Sequence, residues 1–148
     1  MSIYEKDLDR TSANHVPLSP VSFLTRSAHI WPNRVAVIHG DRRFTYAQFL
    51  ERARRLASSL ARAGVGKGDT VAIMAPNTPE MLEAHYAVPM LGAVLCSINI
   101  RLDAAAIGFI LGHSESKVVL VDQEFAAVMA PALAQSGTLT AAGGASLA

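Results

Sequence analysis

The chain has 148 residues, 51% of them apolar, which suffices to bury one core and corresponds to one domain or part of one. Thirteen basic against twelve acidic residues leave a net charge of +1, and no basic stripe is interleaved with aromatics, so nucleic acid is not an expected partner. Glu5, Lys6, Asp7, Asp9 and Arg10 interrupt any apolar leader, and the longest apolar run, 86–98, is broken by Pro89, Gly92 and Ser97 well short of the roughly 20 residues of a membrane span; the expectation is a cytoplasmic protein without a membrane span.

Residues 1–18 are mixed polar with no clear period. Ser19 followed by Pro20 offers an N-cap and a proline at the first helical position, predicting a short helix to about His29 that Pro32 prevents from extending. Residues 35–38 are β-branched and apolar, 39–42 can turn, and Arg43 with Phe44 can pair back, which predicts a hairpin. Thr45 and Gln48 have the spacing of a capping box. Beyond them Tyr46, Phe49, Leu50, Ala53, Leu56, Ala57, Leu60 and Ala61 recur at helical intervals, with Glu51, Arg52, Arg54, Arg55 and Arg62 expected on a solvated face and Gly64 as the C-terminal cap.

From Thr70 the pattern changes. An apolar strand at 71–74 leads through a Pro76-Asn77 turn to Thr78 and Pro79, the N-cap and first residue of a helix to about Leu91; Pro89 should kink that helix or end it early, and Gly92 can serve as its stop. A second apolar strand follows at 94–98, Asp103 caps another helix containing Ile107, Phe109, Ile110 and Leu111, and 117–121 form a third strand. Continuous apolar strands separated by helices predict a parallel sheet covered on both faces, an α/β architecture that is Rossmann-like in broad form. A further helix can begin at Gln123 and run to about Ala134, with no strand after it. The expected division is an N-terminal segment 1–18, a partial domain 19–130 and a low-complexity, disordered tail 131–148, because 131–148 carry no charge and are rich in Ala, Gly, Ser and Thr.

Little in this pattern carries chemistry. The run Gly64-Val65-Gly66-Lys67-Gly68-Asp69 resembles a phosphate loop, but it leaves a helix and enters a strand, so the helix C-terminus faces the supposed anion; a cap and tight turn is the expectation. Gln135-Ser136-Gly137-Thr138 lacks both a preceding strand and a following Gly-x-Pro-Lys-Gly, and is read as part of the tail. The five histidines share no metal-ligand spacing, no Gly-x-Ser-x-Gly elbow is present, and Cys96, the single cysteine, is expected as a small buried apolar residue. The turn 99–103 lies at the carboxyl end of a predicted parallel strand, where open α/β sheets place ligands, which makes Asn99 and Arg101 weak ligand-side candidates. Turn formation by Asn99 and capping by Asp103 account equally for those residues.

Several runs in order, Pro32-Asn33-Arg34-Val35-Ala36-Val37-Ile38 with Phe44-Thr45-Tyr46, Gly64-Val65-Gly66-Lys67-Gly68-Asp69-Thr70, Pro76-Asn77-Thr78-Pro79-Glu80, and 84–94, are similar to consecutive N-terminal segments of AMP-forming acyl-CoA synthetases. Asn99-Ile100-Arg101-Leu102-Asp103 and 117–122 continue the resemblance, which covers about 18–125 and then stops, and the middle segments are most similar to the branch activating short- to medium-chain fatty acids. It implies a partial N-terminal domain of an adenylate-forming ligase that joins a carboxylic acid to CoA at the expense of ATP, in fatty acid metabolism. The family's Ser/Thr-Gly-rich loop, Thr-Glu segment, ribose-binding Asp and catalytic Lys lie downstream of the matched span. No catalytic, cofactor or metal residue is therefore expected here; ATP, Mg and CoA are expected only for a full-length member, and the chain is expected to be inactive alone. Lys6, Lys67 and Lys117 occupy the wrong places to substitute. The alternative is a stand-alone Rossmann-like binding or interaction module, and a sheet cut partway could also self-associate through its open edge.

Overall fold

In a computed structural model, residues 6, 7, 9, 11–16 and 18–137 are described. Helix α1 (Pro20–Ile30) begins where the Ser19 hydroxyl accepts the Val21 amide at 3.3 Å. The hairpin β1 (Val35–His39) and β2 (Arg42–Thr45) pairs antiparallel, with Gly40 at φ +56° making the turn. Helix α2 (Tyr46–Arg62) starts with the expected capping box: Thr45 Oγ1 accepts the Gln48 amide at 3.3 Å, and Gln48 Oε1 accepts the Thr45 amide at 2.9 Å.

The second half alternates β3 (Thr70–Met74), α3 (Pro79–Met90), β4 (Val94–Ser97), α4 (Ala104–His113) and β5 (Ser116–Val121), followed by a 3-10 turn (Gln123–Phe125) and α5 (Ala126–Ser136). The three strands form a parallel sheet ordered β4-β3-β5, with β3 central. Its side chains alternate between faces. Val71 and Ile73 pack toward residues of α2 and α3, including Leu60, Ala84 and Val88, whereas Ala72 and Met74 pack toward α4 and α5 through Ile107, Leu111, Met129 and Ala132. A separate cluster of Leu24, Ala28, Phe49, Leu50 and Ala53 joins α1 to α2 beside the hairpin. The layered α/β architecture is thus the predicted one.

Three details depart from expectation. Pro89 does not end α3 early, because it falls in the last turn; the helix ends one residue later at Met90, and Gly92 at φ +68° stops it. Helix α5 crosses the expected boundary at 131, because Met129 and Ala132 cover α4 and are almost wholly buried; residues 131–136 belong to the packed unit, while 138–148 lie outside the described residues. Cys96 is only partly buried, since it sits on β4 at the edge of the sheet and packs against the α4–α5 cluster from there. No helix among the described residues is long and apolar enough to cross a membrane.

Candidate functional site

The carboxyl ends of the three strands open together. The Ile98 amide donates to the Ile73 carbonyl at 2.8 Å and the Asp122 amide to the Met74 carbonyl at 2.9 Å, which carries the parallel register to the last residues of the sheet. Three short segments leave from there: 75–78 into α3, 98–103 into α4, and Asp122 into the 3-10 turn. Both predicted ligand-side residues lie in the middle segment. Asn99 Oδ1 accepts the Arg101 amide at 2.9 Å, a side-chain-closed turn, and the Asp103 carboxylate caps α4 by accepting the Ala106 amide at 2.8 Å. Asn99 is therefore occupied with local turn formation. The Arg101 guanidinium is exposed and has no ion pair or hydrogen-bond partner among the described residues, so it remains available to an anion at this end.

Beside segment 75–78 lies a groove of about 630 Å³ between the hairpin and the start of α3. Val37, Ile38, Met81, Leu82 and Tyr86 make it largely apolar, and Asn77, Thr78 and the two histidines His39 and His85 also line it. The Nδ1 of His85 is engaged with the Met81 carbonyl at 2.8 Å. Among the described residues no group of three or more His, Cys, Asp or Glu side chains converges on a possible metal position.

The opposite end of the sheet holds the glycine-rich loop, organised around a carboxylate of its own. Asp69 Oδ2 accepts the Gly66 amide at 2.7 Å and the Lys117 ammonium at 2.9 Å, and these two bonds, the amide first, hold the Asp69 carboxyl below its ordinary range. Gly64 and Gly68 take φ of +85° and +87°, the left-handed turns the loop needs. An internal anion thus sits where a phosphate would, Lys117 is engaged with it, and the helix-cap reading of the loop holds. Gln135 and Ser136 close α5, with Gly137 at φ +64° as the cap, so that segment presents carbonyls rather than amides; Thr138 lies outside the described residues.

One constellation escaped the sequence reading. Glu80 and Glu83, in the first turns of α3, are only 7% and 5% exposed. Arg42 of β2 pairs with Glu80, and Arg52 of α2 pairs with Glu83 and also reaches Glu80 at 3.3 Å. Arg52 is therefore not part of a solvated face, as its neighbours Glu51, Arg54 and Arg55 are. Burial pushes the Glu80 carboxyl up, but the hydrogen bond and charge of Arg42, with a backbone bond and the Thr78 hydroxyl, outweigh it and leave Glu80 below the ordinary glutamate value. At Glu83 burial prevails over Arg52 and the carboxyl is held above that value. The sequence signal was two glutamates three apart among Ala84, Ala87 and Val88, positions that a helix buries.

The model of the AMP-binding enzyme family matches residues 24–144. The chain belongs to that family. The match continues past Phe125, where the resemblance had been expected to stop, so α5 is part of the family fold rather than a departure from it. Among relatives of this chain, an Arabidopsis thaliana acetate/butyrate–CoA ligase, peroxisomal by name, is 54% identical over 119 residues, covering 80% of this chain and 21% of the relative. An acetate–CoA ligase of Humulus lupulus is 49% identical over 127 residues, 86% of this chain and 22% of its own length. A Mycobacterium tuberculosis fatty acyl CoA synthetase superposes with a TM-score of 0.80 at 38% identity, covering 84% of this chain and 26% of the other. The inhibitor-bound N-terminal domain of FACL13 from the same organism gives a TM-score of 0.80 at 38% identity, with 84% and 33% covered. The chain thus spans about a fifth of the length of these curated relatives and matches part of an N-terminal domain.

Proposed function

We propose that the chain supplies the N-terminal part of an ATP-dependent acyl-CoA ligase acting on short- to medium-chain carboxylic acids, in which an acyl-adenylate forms with release of pyrophosphate and the CoA thiol then displaces AMP. The observation that carries this reading is the 54% identity to an acetate/butyrate–CoA ligase along 80% of the chain. The open carboxyl end of the sheet supports it, with Asn99 shaping the turn and Arg101 offering a cation to an anionic ligand. The donors present among the described residues do not fit Mg-ATP: Asp69 and Lys117 satisfy each other, and no acidic cluster converges. In this reading ATP, Mg, CoA and the acid are held with residues outside this span, and the 148-residue chain is inactive alone. Cytoplasmic residence and a place in fatty acid metabolism complete the reading; a peroxisomal location of a fluorescent fusion would remove the first.

The decisive experiment is carboxylate-dependent ATP–pyrophosphate exchange. The purified chain should show none with any acid of a panel, whereas a chimera continuing it with the remainder of the Arabidopsis relative should show exchange with acetate or butyrate. Exchange by the chain alone would overturn its inactivity, and a folded chimera inert with every acid would overturn the ligase reading. We further propose that the chain self-associates. Among the described residues the outer edges of β4 and β5 have no partner strand, and Val94 and Phe109 are 54% and 71% exposed. A concentration-independent monomer in light scattering would refute this.

A further inference from the structure

Arg42, Arg52, Glu80 and Glu83 come from three elements that have no backbone pairing with one another, the hairpin, α2 and α3. Both guanidiniums also lie over the Phe44 ring, at 5.4 Å for Arg42 and 4.7 Å for Arg52, so the cations are held by a face as well as by carboxylates. Arg52 grips Glu83 through both Nε and Nη2, the latter 3.4 Å from Oε2, a forked contact that sets orientation as well as distance.

Stability alone is a poor reason for such an arrangement. Two carboxylates are taken almost wholly out of water, and an apolar packing of the same volume generally stabilises as much or more. What an ion network adds is a defined geometry. Its place in the fold says what that geometry controls. Glu80 is the second residue of α3, and only the segment 75–78 separates α3 from the carboxyl end of the central strand. Holding Glu80 therefore holds Asn77 and Thr78, and holding Arg42 keeps the hairpin wall of the adjacent groove over them.

We propose that Arg42, Arg52, Glu80 and Glu83 form a positioning network that sets segment 75–78 and the hairpin at the ligand end of the sheet. The inference rests on the proposed function only in taking this end as the one that meets ligand. None of the four is a catalytic residue; they act through the segment they hold.

Amide hydrogen exchange on the full 148-residue chain tests it without ligand or turnover, so its outcome is separate from that of the chimera. The amides of Thr78 and Leu82, bonded to the Pro76 and Thr78 carbonyls, are the reporters at the segment, and those of β1 and β2 report on the hairpin. In Arg42→Gln and Arg52→Gln these amides should accelerate by about tenfold or more beyond the amides of β5, α4 and α5, which change only with global stability. Arg52→Lys, which keeps the charge but loses the fork, should fall between. Glu80→Gln combined with Arg42→Gln should add little to either alone, as members of one network do. Uniform acceleration throughout the chain would mean a merely stabilising role and overturn the proposal, as would unchanged rates at Thr78 and Leu82. The Arg42 side chain is 46% exposed, so Arg42→Gln retains the fold and decides the matter even if Arg52→Gln does not fold.

Discussion

Arg52 shows how far a local pattern reaches at the scale of one residue. Its neighbours Glu51 and Arg55 pair with each other in solvent, a contact of small value, whereas Arg52 turns the other way onto two buried carboxylates. Replacing it by alanine should destabilise the chain by about 2 kcal/mol in urea unfolding, between the near-zero effect of a solvated pair and the larger loss on breaking a buried one. Glu51→Ala should change stability by less than about 0.5 kcal/mol in the same measurement. The charged groups meeting at this spot are Arg42 from β2, Arg52 from α2, and Glu80 and Glu83 themselves from α3. Glu80, depressed below 4.5, contributes stability that is present above that value and is lost as pH falls through its folded pKa. Glu83, raised above 4.5, acts in the opposite sense: the folded chain holds its proton more tightly, so stability falls as pH rises through the raised value. In Glu83→Gln the second contribution disappears, and melting temperature in the acid range should then rise more steeply with pH than in the parent chain; an unchanged slope would contradict the assignment.

At the scale of the element, legibility depended on whether the signal was contained within the element. Helix α2 was readable because its cap, period and stop are all local: Thr45 and Gln48 lie three apart and both bonds of the box form. Thr45→Ala should therefore cost about 1 kcal/mol, read by chemical denaturation. Gly92 is a second local stop. At φ +68° a Cβ there is strained and would stand 3.2 Å from Lys67 Cγ, so Gly92→Ala should destabilise by about 1 kcal/mol, with most of the loss remaining when Lys67 is also shortened, because the backbone rather than the flexible lysine sets it. Pro89 leaves the length of its helix unchanged for a reason of the same kind. A proline is harmful in proportion to the helix that must continue beyond it, and here only Met90 follows. The first turns of α3 were the least legible, since nothing within them says that Glu80 and Glu83 meet arginines 38 and 31 residues away.

For the whole molecule the balance rests on covering both faces of the small sheet. One face needs α5, which brings Met129 and Ala132 against Ile107 and Leu111. Met129→Ala should cost about 2 to 3 kcal/mol, and a chain ending at Phe125 should bind a hydrophobic dye and aggregate. Length, composition and periodicity determined the elements, their order and the parallel α/β class, because strands, caps and helix periods are written in neighbouring residues. The family's identity was legible for the same reason: ordered runs of sequence survive without coordinates. Only the tertiary structure decided that β3 lies between β4 and β5, that the apparently featureless helix α5 is core, and that Arg42 and Arg52 close on Glu80 and Glu83. Those outcomes depend on which distant surfaces meet and exclude water, and the price of burying a charge is set by the partner it finds there.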